Sequence, residues 1–307
     1  MRRVLVTGGD GYLGRVLTLR LIESGHEVIL LGRQPLAGDA ATRRVCADLT
    51  DRQQVAAALA GLDVDGVCHL AARTSVRESL VDPVGYFSVN AVGTLNLLAS
   101  LTGQTPFVLL SSGAVYGSDH SGPLTEGLVP RPENPYAASK LAAESMVASV
   151  AATGAVGAII LRCFNIAGAY GGRANPNPSG IIPAVMRAAM GEAEHVAING
   201  DGSAVREFTH VVDVADAIVR ALEAPAAGKA EVLNVGTGAG STMLEVIDTV
   251  ARVTGRPIEV VHGPAANEPH TVLADTRRIR ERLGWTPVRS GIEEIIRSDW
   301  EARHVTP

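Results

Sequence analysis

An α/β fold, a doubly wound parallel sheet with a smaller C-terminal lobe, is what the sequence predicts, and three observations predict it. Short apolar runs alternate with stretches of helical periodicity, which implies parallel βαβ units wound right-handedly and covered on both faces. Glycine is abundant, with 33 residues, while aromatics are few (four Phe, two Trp, five Tyr). That balance suits close backbone contact and parallel strands better than a β-sandwich. Length is the third: 307 residues exceed a typical single core, so one large domain or two joined intimately are expected.

The elements follow in order. Val4-Leu5-Val6 is an apolar run ending in Thr7-Gly8-Gly9-Asp10-Gly11. From Tyr12 to Ser24 apolar residues recur at helical spacing (Leu13, Val16, Leu17, Leu21), and Gly25 closes the helix. Glu27 to Leu31 reads as a second strand, residues 52–61 as an Ala-rich helix, and Gly66-Val67-Cys68-His69-Leu70 as another strand. A helix around 83–100, a strand from Pro106 to Leu110, a long helix over 136–153 and a strand from Ala158 to Leu161 continue the rhythm. After about residue 165 it changes. Residues 168–180 hold too much Gly, Asn and Pro for regular structure. Helices are expected at Ile182–Gly191, Val214–Leu222 and Thr242–Thr254, with Leu233-Asn234-Val235 as a strand returning to the sheet. Asp213 is placed to cap the second of these.

Composition sets limits on function. A net charge of -5 leaves no general basic footprint, so nucleic acid is not expected as a partner. With 46% hydrophobic residues the chain is not disordered, and no apolar run approaches the ~20 residues that cross a bilayer. Met1-Arg2-Arg3 precedes too short an apolar stretch for a signal peptide. Cys46, Cys68 and Cys163 are odd in number and far apart, which fits neither a disulfide framework nor a metal site. They read as buried thiols of a cytoplasmic protein.

Gly8-x-x-Gly11-x-x-Gly14 sits between the first strand and the first helix. The first glycine permits the tight turn, the second lets a pyrophosphate approach the backbone, and the third lets helix and strand pack closely. The helix N-terminus adds free N–H groups and positive potential, so the pattern reads as a Rossmann-like dinucleotide site. The second strand ends Leu30-Leu31-Gly32-Arg33, without the carboxylate that usually holds the ribose diol of NAD. Arg33 is placed to meet a 2′-phosphate, which slightly favours NADP. Asp48 is placed to accept from the adenine amine.

Leu109-Leu110-Ser111-Ser112 ends a strand at the edge where open α/β sheets bind ligands. Tyr136-Ala137-Ala138-Ser139-Lys140 opens a helix, with Tyr136 and Lys140 four apart on one face. A phenol of pKa about 10 becomes a usable base when a neighbouring ammonium and a nicotinamide cation favour the phenolate. Tyr136 is thus expected to take a proton from a substrate hydroxyl while hydride leaves the same carbon, with Ser112 positioning that oxygen.

With these motifs in hand, the chain resembles the extended short-chain dehydrogenase/reductase family, and within it the nucleotide-sugar epimerases. The resemblance runs nearly end to end. It includes Val6-Thr7-Gly8-Gly9-Asp10-Gly11-Tyr12-Leu13-Gly14, His69-Leu70-Ala71-Ala72, Asn90-x-x-Gly93-Thr94 and Ser111-Ser112-Gly113-Ala114-Val115-Tyr116-Gly117. It continues through Pro135-Tyr136-Ala137-Ala138-Ser139-Lys140, Leu161-Arg162-Cys163-Phe164-Asn165, Val205-Arg206-Glu207-Phe208, His210-Val211-Val212-Asp213 and Leu283-Gly284-Trp285-Thr286-Pro287. It implies Ser112, Tyr136 and Lys140 as the catalytic triad. NAD(P) would be lined by Gly8, Gly11, Tyr12, Leu13, Gly14, Arg33, Asp48, Leu49, Leu70, Ala71, Ala72, Asn90 and Ser111, with Tyr136, Lys140 and Phe164 near the nicotinamide. Ser112, Tyr136, Asn165 and Arg206 would hold the substrate, the last two at its diphosphate. Residues 1–164, with a return segment at about 206–236, then form the NAD(P)-binding domain. Residues 165–205 and 237–307 form the substrate-binding lobe. His69 and His210 read as structural, and helices near 90–100 and 136–150 imply a homodimer.

Two departures matter. Gly113-Ala114 follows the serine where the family's dehydratases and decarboxylases carry acids, so the triad supports only oxidation at one carbon and return of hydride. The stretch Gly263-Pro264-Ala265-Ala266-Asn267-Glu268-Pro269 lacks the arginine that epimerases usually set against the second phosphate. The leading expectation is a nucleotide-sugar 4-epimerase, with tightly held NAD. The alternative is an NADPH-dependent ketoreductase or dehydrogenase acting on a keto-sugar or related ketone. A cofactor-sensing module without catalysis is a third reading, disfavoured by the intact triad.

Overall fold

The computed structural model describes residues 2–34, 42–101, 103–224, 228–265 and 268–304. Their contacts divide the chain into two units. The first holds residues 1–117, 126–163 and 215–234, and the second holds residues 118–125, 164–214 and 235–307.

The first unit is a parallel sheet with helices against it. Its strands and helices are β1 (Arg3–Thr7), α1 (Tyr12–Glu23), β2 (Glu27–Gly32), β3 (Thr42–Cys46), α2 (Arg52–Leu59), β4 (Gly66–His69), α3 (Val76–Val81), α4 (Pro83–Phe87), α5 (Gly93–Leu98), β5 (Thr105–Ser112), α6 (Pro135–Ala152) and β6 (Val156–Cys163). The strand Ala230–Val235 completes a seven-stranded sheet beside β6, in which β5, β4, β1, β2 and β3 follow in turn. β1 pairs parallel with β2 on one side and with β4 on the other. The chain therefore reverses its direction of travel across the sheet at β1, and ligands of open α/β sheets bind beyond the carboxyl ends of the strands at such a switch point. Leu5, Ile29, Val67, Phe107, Leu109 and Ile160 form the core, and Ala143, Val147 and Ala151 lay α6 onto it.

Two features escape the apolar pattern. β3 is an edge strand carrying Arg43 and Arg44, so no apolar run marks it. The helix expected around 83–100 is broken into α4, a π-helical turn at Ser88–Val92, and α5. That turn buries Asn90, whose Oδ1 accepts from Arg73 N while its Nδ2 donates to Arg73 O and Ser139 Oγ. A widened turn often marks such a functional insertion in a helix.

In the second unit, α7 (Ile181–Ala189), α9 (Met243–Thr254) and α10 (Ile292–His304) close over a core of Ile182, Met186, Val246, Val250 and Ile295. Residues 168–180 are less irregular than expected, because Ala169–Tyr170 and Arg173–Ala174 pair as a small antiparallel hairpin around Gly171 and Gly172. The helix α8 (Val211–Glu223) begins three residues before its expected start. Asp213 is therefore not its cap. Its carboxylate accepts from Val288 N, Arg289 N and Ser290 Oγ, and its backbone oxygen from Trp285 Nε1, so it ties down the segment after Trp285.

Both histidines read as structural are buried: His69 bonds Thr7 and Thr94, and His210 bonds Ser298 and accepts from Val212 N. Burial pushes His69 down to about 3, which keeps it neutral. Cys68 and Cys163 are buried as expected, but Cys46 is exposed, since it lies on the edge strand. No helix among the described residues is long and apolar enough to cross a membrane, and no metal-ligating cluster occurs among them.

Candidate active site

The glycine turn closes the carboxyl end of β1. Gly8 has a φ of +73°, and a Cβ there would stand 2.7 Å from the backbone N of Ala71. A Cβ on Gly14 would lie 2.1 Å from Gly8 O, so only glycine lets α1 descend this closely onto the turn. Gly11 opens α1 without a side-chain cap, and the first turn carries no acid. These are the features of a cradle for a pyrophosphate at a helix N-terminus. Ala71 lines it from just beyond the end of β4, with Leu70 and Ala72 half-buried on either side.

Asp48 Oδ1 accepts from Thr50 N at 2.9 Å and from Thr50 Oγ1 at 2.8 Å, and these bonds hold its carboxyl below the usual range. Arg33 is exposed, and its charge adds to that lowering. Leu49 is buried against Gly93, and the amide of Asn90 is engaged with Arg73 and Ser139. Asn90 thereby shapes the 70–73 segment from behind.

Alternation along β5 sends its last two serines to opposite faces. Ser111 is buried and donates to Glu144 Oε1 at 2.5 Å. Its hydroxyl is thus committed to the interior. Ser112 is half-buried, accepts from Ala114 N, and is hydrogen-bonded to the Tyr136 side chain. Asn134 caps α6 by accepting from Ala137 N, and Pro135 occupies its first turn. The start of α6 is fixed one residue before Tyr136, which sets the phenol opposite Ser112.

Burial raises the pKa of Tyr136, and the bond to Ser112 opposes that shift. Tyr86 stands edge-on to the Tyr136 ring at 6.4 Å, with the Arg73 guanidinium over its own ring. Lys140, one turn further on α6, is 4% exposed and is lowered by burial to about 8. Glu144, another turn on, opposes that fall. Glu144 is itself clamped by Arg162 of β6, at 2.6 Å from Nη2 and 3.0 Å from Nε, and Arg162 stacks on Tyr116 at 4.7 Å. Tyr116 donates to Asn234 Oδ1. This buried set, Glu144 with Ser111, Arg162 and Tyr116, lay outside the sequence reading. Its signal was an acid four residues after Lys140 on a helix that otherwise presents Ala and Val to the sheet, opposite an arginine in an apolar strand.

Phe164, Asn165 and Arg206 belong to the second unit. Phe164 is buried, and its backbone N donates to Val235 O. Asn165 Nδ2 donates to Glu207 O. Arg206 pairs with Glu268 at 2.8 Å and also donates to Val205 O and His270 O. Glu207, fully buried, accepts from Thr237 N, Gly238 N and Ala274 N, and so fixes the backbone beside Arg206.

A βαβ sheet with this glycine turn, with Ser112 at a strand end and Tyr136 and Lys140 on the facing helix, defines an NAD(P)-dependent enzyme of the short-chain dehydrogenase type. Residues 4–236 match the model of the NAD dependent epimerase/dehydratase family, and the chain belongs to that family. It is 36% identical to the UDP-glucose 4-epimerase of Streptomyces lividans over 97% of this chain and 95% of that one. Among solved structures it is similar to the UDP-glucose-4-epimerase of Stenotrophomonas maltophila with bound NAD and formylated UDP-arabinopyranose, at a TM-score of 0.89 and 31% identity, covering 99% and 98% of the two chains. It is also similar to MoeE5 in complex with UDP-glucose and NAD, at 0.87 and 32% identity over 98% of each chain. The tight turn that Gly8 and Gly14 allow, opening on the uncapped N-terminus of α1, fits the dinucleotide of an NAD-dependent family.

Proposed function

We propose that this protein is an NAD-dependent nucleotide-sugar 4-epimerase, acting on a UDP-hexose. The observation that carries the reading is the Ser112–Tyr136 hydrogen bond at the carboxyl ends of β5 and α6's first turn, with Lys140 buried one turn behind it. Bound NAD supplies a hydride acceptor that can return what it takes. Tyr136 accepts the proton of the sugar's C4 hydroxyl as that carbon is oxidised, and gives it back when the carbon is reduced on the opposite face. Ser112 holds the same oxygen by hydrogen bonding, and Lys140, still mostly protonated at pH 7, favours the phenolate. Gly113 and Ala114 offer no further acid or base, so neither elimination nor decarboxylation has a proton carrier there.

Residues 1–163, with the return strand, serve in this reading as the dinucleotide domain, and the later residues choose the substrate. Asn165 and Arg206 hold the diphosphate, and Glu268 keeps the guanidinium in place until a phosphate replaces it. The reaction is tested by giving the purified protein UDP-galactose without added nucleotide and following the sugar protons by NMR. Appearance of UDP-glucose is expected. Dependence of any turnover on added NADPH, with its stoichiometric consumption, would instead establish a reductase.

The same reading makes the protein a cytoplasmic homodimer. Val84, Phe87, Val92 and Leu95 recur at helical spacing along α4 to α5 and are 75%, 38%, 43% and 42% exposed, a stripe that a second copy would cover. Light scattering is expected to give the mass of a dimer, and Val84→Glu with Leu95→Glu to give that of a monomer. A monomeric parent protein would refute the dimer.

A further inference from the structure

The end of β2 lacks the acid that would select NAD, but a carboxylate from the glycine turn stands beside that position. An ideal Cβ built on Gly32 has a single neighbour within 4 Å, Oδ2 of Asp10, at 3.5 Å. Oδ2 of Asp10 therefore lies next to the position from which an acid at residue 32 would extend. We propose that Asp10, from the glycine turn, supplies the missing carboxylate, and that it makes the dinucleotide site selective for NAD over NADP. The inference rests on the dinucleotide reading and deepens it.

Three observations support the assignment. Asp10 is held at both ends: Arg15 Nε donates to its backbone oxygen at 2.8 Å, and Arg44 Nη1 donates to Oδ1 at 3.0 Å and Oδ2 at 3.3 Å. Donation from one nitrogen leaves lone pairs on both oxygens, and the side chain is 37% exposed, so the carboxylate can still accept from ribose hydroxyls. Arg44, beside the end of β2, is engaged by the Asp10 carboxylate rather than left for a 2′-phosphate, while Arg33 acts on Asp48 and Arg15 reaches only the backbone oxygen of Asp10. A phosphate entering beside Gly32 would instead meet the Asp10 carboxylate. Thus the NADP preference expected from Gly32-Arg33 is reversed, because that expectation considered β2 alone and not the turn packed against its end.

The test reads nucleotide rather than turnover. The protein is purified, the nucleotide it retains is released and identified, and NAD and NADP are compared as ligands of the emptied protein by calorimetry. The parent protein is expected to bind NAD at least about tenfold more tightly than NADP, the loss typical of a charge-assisted bond replaced by repulsion. Asp10→Asn is expected to bring the two affinities within about threefold of each other. Should Asp10→Asn simply fold poorly, Asp10→Ser, which also removes the carboxylate, takes its place with the same expected outcome; in whichever background folds, Gly32→Asp is expected to restore NAD selectivity, since that position has no positive φ and its Cβ would meet only an ordinary van der Waals contact. An NADP-selective parent, or a selectivity that Asp10→Asn leaves unchanged, would overturn the assignment while leaving the dinucleotide reading intact. Binding of neither nucleotide by the folded parent would overturn both.

Discussion

Tyr136→Phe is expected to lower kcat by about two to four orders of magnitude, the range a positioned proton carrier contributes, while the protein retains its nucleotide. Phenylalanine keeps the ring and its edge-on contact with Tyr86 at 6.4 Å, so packing is preserved and only the hydroxyl bonded to Ser112 is lost. Ser112→Ala should be milder, since it removes a positioning bond and leaves the base. The check is steady-state epimerisation beside the quantity of nucleotide released per chain. Turnover within tenfold of the parent would remove Tyr136 from the reaction, whereas loss of nucleotide together with activity would reveal a binding role instead.

The second large effect concerns stability. Glu144 and Arg162 form an ion pair whose side chains are each 5% exposed. Taking such charges out of water is costly, and the pair persists because each is the other's partner, with Ser111 bonded to the carboxylate and the Tyr116 ring against the guanidinium. Glu144→Gln leaves the guanidinium buried without a counter-charge, and a loss of about 3–5 kcal/mol in unfolding free energy is expected. Combining Glu144→Leu with Arg162→Met should recover much of that loss, because no unpaired charge then remains. Denaturant unfolding of the three proteins measures both. The single change has a further expected consequence: without the anion that lifts it, Lys140 falls below about 8 and gives up its proton at lower pH.

How far the sequence carried this account follows from the kind of signal each feature leaves. The central strands are buried on both faces and read as apolar runs, so β1, β2, β4, β5 and β6 were legible to within a few residues at their ends. β3 was not, because an edge strand needs no apolar run and Thr42-Arg43-Arg44-Val45-Cys46 has none. The glycine turn and the Tyr136/Lys140 pair are local in sequence, which is why they could be read at once. Asp10 was printed inside that turn, yet its meaning depends on Gly32 and Arg44, strand neighbours that only the sheet order brings together. Glu144 and Arg162 are 18 residues apart, on a helix and on a strand, and an arginine in an apolar strand gives no hint of its partner. Helix boundaries failed where tertiary bonds overrode local preference. Asp213 has the chemistry of a cap but serves three donors from residues 288–290.

The central claim is that hydride leaves and returns to the same sugar carbon, with Tyr136 carrying the proton. It is tested most directly by epimerising UDP-galactose in deuterium oxide and examining the product by proton NMR and mass spectrometry. The account predicts UDP-glucose whose C4 keeps its original hydrogen, because the hydride is held on the bound nucleotide and does not exchange with solvent. Deuterium at C4 would contradict it, since the carbon would then have been deprotonated and reprotonated from water.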